Sequence, residues 1–206
     1  MNSTYDQFAQ VIRFLASKGY SPGTGGNFSL VLSRDPLRLL MSPSGIDKGE
    51  ITPEQLIIVD QYGKVIQGNG KSSAETAIHI ILANKYKANC ILHTHSVWNT
   101  ILSMDTKPFD TINLAGFEML KALGSNTHDT TIKIPVFPNT QDIDCFAGML
   151  DDEIEKYRDI KGLLMAGHGL YTWGDTLYCA KRHVEALEFL FEVVGNQKLL
   201  YSNKTV

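Results

Sequence analysis

The stretch from Ala88 to Met104 contains no Asp, Glu, Lys or Arg, and no other stretch of the chain is as long without one. A run without charge must be buried, either in a folded body or in a bilayer. Two histidines and several Asn, Ser and Thr residues interrupt it, so it does not read as a membrane span. What remains is a protein interior: an apolar strand over Cys90–His95, then helical patterning over Val97–Leu102. Side chains alternate along a strand, so His93 and His95 project to one face, close enough to share a metal ion. Taken alone, the pair is equally compatible with two satisfied or surface histidines.

The remaining segments predict the layers around this strand. A first helix places Phe8, Val11, Ile12 and Leu15 on one face, with Ser3 and Asp6 at its start and Gly19 at its end. Apolar runs at Phe28–Leu32 and Leu37–Met41 flank the turn residues Ser33-Arg34-Asp35-Pro36. Thr52-Pro53-Glu54-Gln55 marks a short helix, and Ile57–Val59 and Val65–Gln67 flank another turn at Gly63. Helices are expected at about Ser73–Tyr86, around Phe117–Leu123 and at Thr176–Leu200, and strands at Ile132–Phe137 and Leu163–Thr172. The chain has 206 residues, no internal repeat and no low-complexity tract. Against a size of roughly 150 residues per domain, this predicts one α/β layered domain over 1–206 with some antiparallel pairing.

Charge narrows the function classes. The 19 basic and 22 acidic residues give a net charge of −3, which argues against nucleic acid or an anionic membrane as the partner, because both need clustered Lys and Arg. Cys90, Cys145 and Cys179 form no CxxC spacing, and the amino terminus shows no basic-then-apolar pattern. A reducing cytoplasm is the expected compartment.

Two phosphate-loop readings fail on spacing. Gly70-Lys71-Ser72 lacks the earlier glycine of a P-loop, since Val65 stands there, and the glycines at 23, 25 and 26 meet Phe28 where a dinucleotide fingerprint needs glycine. The histidine pair gains a third candidate in Gly167-His168-Gly169 at a predicted strand end, where three neutral nitrogens would make an open site suited to zinc. Ser72 and Glu75 have capping-box spacing, which competes with a catalytic role for Glu75. His79, one turn later, would either orient Glu75 or make a structural hydrogen bond. Thr24-Gly25-Gly26-Asn27 and Ser42-Pro43-Ser44-Gly45 are hydroxyl-rich loops able to present N–H groups to a phosphate, as many ordinary turns also do. Glu118 lies among apolar residues at a helix start, where it would complement the helix dipole. Tyr171 and Trp173 share a face and read as core, His128 as a loop residue, and His183 as solvated or interhelical.

In combination, Thr24–Asn27, Ser42–Gly45, Ser73-Ala74-Glu75, His93-Thr94-His95 and Gly167-His168-Gly169 resemble the class II aldolase family over most of the chain. Ser72–Thr76, Phe117–Lys121 and His168–Gly174 are most similar to its dehydratase branch. The resemblance implies a layered fold with a central, mainly antiparallel sheet flanked by helices. It implies one zinc ion held by His93, His95 and His168, with Glu118 as the acid-base residue and Glu75 as a second catalytic carboxylate. Phosphate would be received around Gly26, Asn27, Ser44, Gly45 and Ser73. Sugar-phosphate aldolases of the family carry a second Ser where Ala74 stands, so one hydroxyl contact is missing. The implied reaction is dehydration of 5-methylthioribulose 1-phosphate to a 2,3-diketo 1-phosphate. The alternatives are a sugar-phosphate aldolase or pentulose-phosphate epimerase, and a noncatalytic, adducin-like interaction domain. The resemblance also implies a homotetramer with sites near subunit interfaces.

Overall fold

The computed structural model describes residues 3–157 and 159–202. The expected domain limits, 1–206, also take in residues 1, 2, 158 and 203–206, which lie outside that range. Helix α1 (Thr4–Ser17) begins where Ser3 caps it: the Ser3 hydroxyl accepts from the Asp6 N–H at 3.2 Å, and the Asp6 carboxylate accepts from the Ser3 N–H at 2.9 Å. It buries Phe8, Ile12 and Leu15, each contributing about 1.5–3 kcal/mol by removal from water.

Among the described residues nine strands form one sheet: β1 (Asn27–Arg34), β2 (Leu37–Met41), β3 (Ile57–Asp60), β4 (Val65–Gln67), β5 (Cys90–Thr94), β6 (Thr111–Ala115), β7 (Thr131–Phe137), β8 (Gly162–Met165) and β9 (Gly169–Gly174). Their spatial order is β4-β3-β2-β1-β5-β9-β8-β7-β6. Every pairing is antiparallel except β7 with β8. The sheet is therefore mainly antiparallel, as expected.

Helices cover both faces because the strands alternate. On one face Ile91, Tyr171 and Trp173 pack with Ile78 and Leu82 of α2 (Thr76–Lys85) and Phe146 and Leu150 of α4 (Ile143–Glu153). On the other, Phe28, Cys90 and Leu92 meet α1 and the start of α5 (Leu177–Ser202). Further along that face α3 (Val97–Asp105), α5 and a 3-10 turn (Glu118–Leu123) enclose Leu164 and Leu170. No helix among the described residues is long and apolar enough to cross a membrane.

Several expectations are corrected. The segment expected as one strand, Leu163–Thr172, is two antiparallel strands, β8 and β9, reversed at Ala166-Gly167-His168. Gly167 takes φ +64°, a conformation in which a side chain is strained, and the chain turns there. The helix expected from Ser73 begins at Thr76, because the Ser73 hydroxyl accepts from the Glu75 N–H at 3.2 Å and the Thr76 hydroxyl donates back to the Ser73 carbonyl at 2.7 Å. The helix expected around Phe117–Leu123 is a 3-10 turn over Glu118–Leu123. Strand β6 and helix α4 were not signalled by the apolar spacing at all.

Candidate metal centre and phosphate pocket

The end of β5 sets the site. His93 and His95 lie on the α2 side of the sheet, and Thr94 between them points the opposite way, donating to the buried Glu188 carboxylate at 2.9 Å. The Tyr171 ring on β9 stacks against His93 at a centroid distance of 3.9 Å, so its core role also fixes the imidazole plane. His93 Nδ1–H donates to the Leu170 carbonyl at 3.0 Å, leaving Nε2 with a bare lone pair. That Nε2 faces His95 Nε2 at 2.8 Å, and the hairpin after β8 brings His168 beside them. One nitrogen from each of the three imidazoles falls within 4.8 Å of the others. Burial pushes His93 well below the ordinary histidine range and His95 down to about 4, so both rings are neutral at pH 7 and present lone pairs. Three imidazole nitrogens grouped this closely fit a divalent ion such as zinc.

Glu75 completes the rim. Its carboxylate lies 3.0 Å from His168 Nε2 and 3.5 Å from His93 Nε2, and it accepts from the Asn27 side-chain amide. Burial alone would raise its pKa, but the hydrogen bond from His168, the His93 and His168 imidazoles beside it and the Asn27 amide together hold it well below the usual carboxylate range. Of the two readings open for Glu75, the capping box is therefore not the one it makes; its side chain is turned into the histidine cluster.

The cluster opens on a pocket of about 440 Å3. Thr24, Gly26, Asn27, Ser44, Gly45 and Ser73 also line it, so every residue expected to receive phosphate lines this one cavity. Lys48 lies under the same loops with 1 % exposure, which spacing gave no reason to expect. Its ammonium donates to the Thr24 and Ile46 carbonyls, both at 3.1 Å, and among the described residues no carboxylate lies within 4.0 Å of it. Asn139, Thr140 and Gln141, in the loop before α4, also line the pocket and carried no recognisable motif.

Glu118 stands apart. Its side chain is 70 % exposed, pairs with Lys121 and lies 3.7 Å from His128, and it is not among the residues that line the pocket of its own chain. His128 is exposed as expected, whereas His183 is neither solvated nor interhelical: it is 7 % exposed, and its Nδ1–H donates to the Trp173 carbonyl at 2.7 Å.

Gly169 shows how little room the metal centre leaves. A Cβ there would overlap the Thr94 carbonyl and come within 2.9 Å of His93 Cε1 and 3.0 Å of His95 Cδ2. Gly169→Ala is expected to destabilise the fold by about 1–3 kcal/mol and to weaken metal binding together with it. Urea unfolding and zinc titration of the variant check both; unchanged values would mean that β5 and β9 are not packed this closely.

Among the described residues, a mainly antiparallel nine-stranded sheet carries a three-histidine cluster, able to hold a divalent ion, at the edge of a polar pocket. Residues 6–194 match the family described as Class II Aldolase and Adducin N-terminal domain, and the chain belongs to that family. It is 40 % identical over 182 residues to the methylthioribulose-1-phosphate dehydratase of Marinobacter nauticus, covering 87 % of this chain and 86 % of that one. It is 41 % identical over 192 residues to the enzyme of the same name from Pseudoalteromonas translucida, covering 92 % and 89 %. Among solved structures, L-fuculose-1-phosphate aldolase from Thermus thermophilus shares the fold, with a TM-score of 0.76, 22 % identity and 96 % of both chains covered.

Proposed function

We propose that this protein is a zinc-dependent dehydratase that converts 5-methylthioribulose 1-phosphate into 2,3-diketo-5-methylthiopentyl 1-phosphate, a step of methionine salvage in the cytoplasm. The observation that carries the reading is the juxtaposition of the three-imidazole cluster with a pocket lined by the hydroxyl-bearing residues Thr24, Ser44 and Ser73. The likeness to named dehydratases over most of the chain separates dehydration from aldol cleavage.

His93, His95 and His168 would hold the ion, which when bound acidifies the C3 proton by polarising the neighbouring carbonyl. Ser44, Gly45 and Ser73 receive the phosphate, and the Gly26-Asn27 backbone approaches it closely. Lys48 lends positive charge beneath that anion, since a buried ammonium without a carboxylate partner favours a bound anion electrostatically. Glu75, turned into the histidine cluster and held by the Asn27 amide, accepts a hydrogen bond from a substrate hydroxyl and orients the sugar. Glu118 moves the proton: it takes hydrogen from C3, then returns it to the departing C4 hydroxyl, and the resulting enol relaxes to the diketone.

Glu118 faces solvent in its own chain, so in this reading it serves the pocket of a neighbouring subunit. Val97, Ile101 and Met104 form an exposed apolar row on α3, 71 %, 47 % and 72 % exposed. Met104 packs beside Gly167, next to His168, which puts this row at the lip of the pocket. A second copy docked there would bury apolar surface and bring its own residues over the site. A homotetramer is the assembly we assign.

Product analysis by mass spectrometry and NMR tests the reaction. The expected product has lost one water and keeps all five carbons, the phosphate and the methylthio group, and in deuterium oxide its C4 methylene gains solvent deuterium. A three-carbon ketose phosphate with a methylthio aldehyde would instead identify an aldolase.

A further inference from the structure

Behind Glu75 lies a line of buried polar side chains that the reaction itself does not use. β1 carries Asn27 and Ser29 on its α2 face, two residues apart, and His79 on α2 reaches down between them. His79 Nδ1 lies 2.7 Å from the Ser29 hydroxyl, and His79 Nε2 lies 2.5 Å from the Asn27 side-chain oxygen. The Asn27 amide nitrogen continues the line to the Glu75 carboxylate and, at 3.3 Å, to the Ser73 hydroxyl. His79 and Ser29 are completely buried and Asn27 is 6 % exposed, so water does not compete for these groups.

The polarity of the line is forced from its active-site end. The Asn27 NH2 faces both Glu75 and the Ser73 hydroxyl, and the Asn27 oxygen faces His79. An amide oxygen only accepts, so His79 Nε2 must carry the proton. Nδ1 then has only a lone pair, and the Ser29 hydroxyl must donate to it. Reversing any one group would set two acceptors or two donors against each other inside the core, at the full cost of an unsatisfied buried group.

We propose that His79, in its Nε2–H tautomer anchored by Ser29, is a positioning residue. It locks the Asn27 amide so that one NH2 group simultaneously orients the Glu75 carboxylate and the Ser73 hydroxyl. This rests on the reading of Glu75 and Ser73 as substrate-facing groups. A side chain linking the carboxylate at the sugar end to the hydroxyl at the phosphate end holds the spacing between the two substrate contacts. Burial favours the neutral ring this requires: it pushes the His79 pKa down to about 4, against the raising influence of Glu75. The edge of the Tyr171 ring, 5.9 Å between centroids, limits rotation of the imidazole.

Two measurements test this on the full-length protein. The first uses 15N labelling of histidine and asparagine and needs no substrate: the His79 signals must show a protonated Nε2 and a bare Nδ1, and the Asn27 side-chain amide protons must exchange slowly. An Nδ1–H tautomer, or a fast-exchanging Asn27 amide, overturns the proposal. The second compares His79→Leu, which removes the donor, with His79→Gln, whose amide can still donate to Asn27. The expected result is a fall of about 10-fold or more in kcat/KM for His79→Leu and recovery to within about 3-fold of wild type for His79→Gln, with equal metal content. A folded His79→Leu with wild-type kcat/KM, or a folded His79→Gln no better than it, refutes the role. If His79→Leu does not fold, His79→Gln against wild type and the tautomer measurement decide. Should the wild-type protein leave the sugar phosphate unchanged, the functional reading fails by itself, and the tautomer and Asn27 exchange still judge the positioning line.

Discussion

Glu118→Gln will keep the metal, the fold and substrate binding, and will lose turnover by about 100-fold or more, because it preserves size while removing the transferable proton. The residue is 70 % exposed and sits on a 3-10 turn against α5, so no stability loss accompanies the change. Mixing gives the sharper result. Chains carrying Glu118→Gln have an intact pocket, and chains carrying His168→Ala have an intact Glu118, so neither oligomer works alone. If each site is built from two chains, reassembled mixtures restore roughly a quarter of the wild-type sites, those in which an intact pocket happens to meet an intact Glu118. Mixed oligomers that form but stay inactive would place Glu118 over its own chain's pocket. Normal turnover by Glu118→Gln together with an inactive, folded Glu75→Gln would transfer the proton to Glu75.

His168→Ala will lose both metal and activity. In the proposed site three imidazoles would hold the ion with no fourth protein ligand assigned, so deleting one should cost more than the 10–100-fold in affinity typical of losing an outer partner of a ligand. It also leaves Glu75 without the His168 contact at 3.0 Å, and the carboxylate pKa should rise towards the ordinary range as that hydrogen bond disappears. Elemental analysis after dialysis, paired with turnover measured at saturating added zinc, separates weakened affinity from lost chemistry. Full metal content with full turnover would remove His168 from the site. Circular dichroism should remain that of the wild type, since His168 lies in the β8–β9 hairpin, 19 % exposed at its side chain, and is not a core residue.

Local chemistry alone determined much of this protein. The Ser3 cap and the spacing of Phe8, Ile12 and Leu15 specify α1 before any partner is considered, and alternation along Cys90–His95 places both imidazoles on one face. Loop composition at Thr24–Asn27 and Ser42–Gly45 likewise marked segments that do line the pocket. Tertiary structure decided the rest, because the forces involved act between segments distant in sequence. Leu163–Thr172 has the composition of one strand, yet a left-handed Gly167 and the need to set Gly169 against Thr94 divide it into two. Ser72 and Glu75 have the spacing of a cap, yet His93, His168 and Asn27 together offer the carboxylate stronger partners than one backbone N–H could. His79 reads as a neighbour of Glu75 on one helix, but it acts on that residue through Asn27, a link that exists only because β1 packs under α2. Lys48 has no sequence motif at all; burial beneath two loops, with carbonyls as its only hydrogen-bond partners among the described residues, makes it part of the pocket. Periodicity reports which face a residue takes, and only the packed fold sets which distant groups share that face and which of their competing hydrogen bonds prevail.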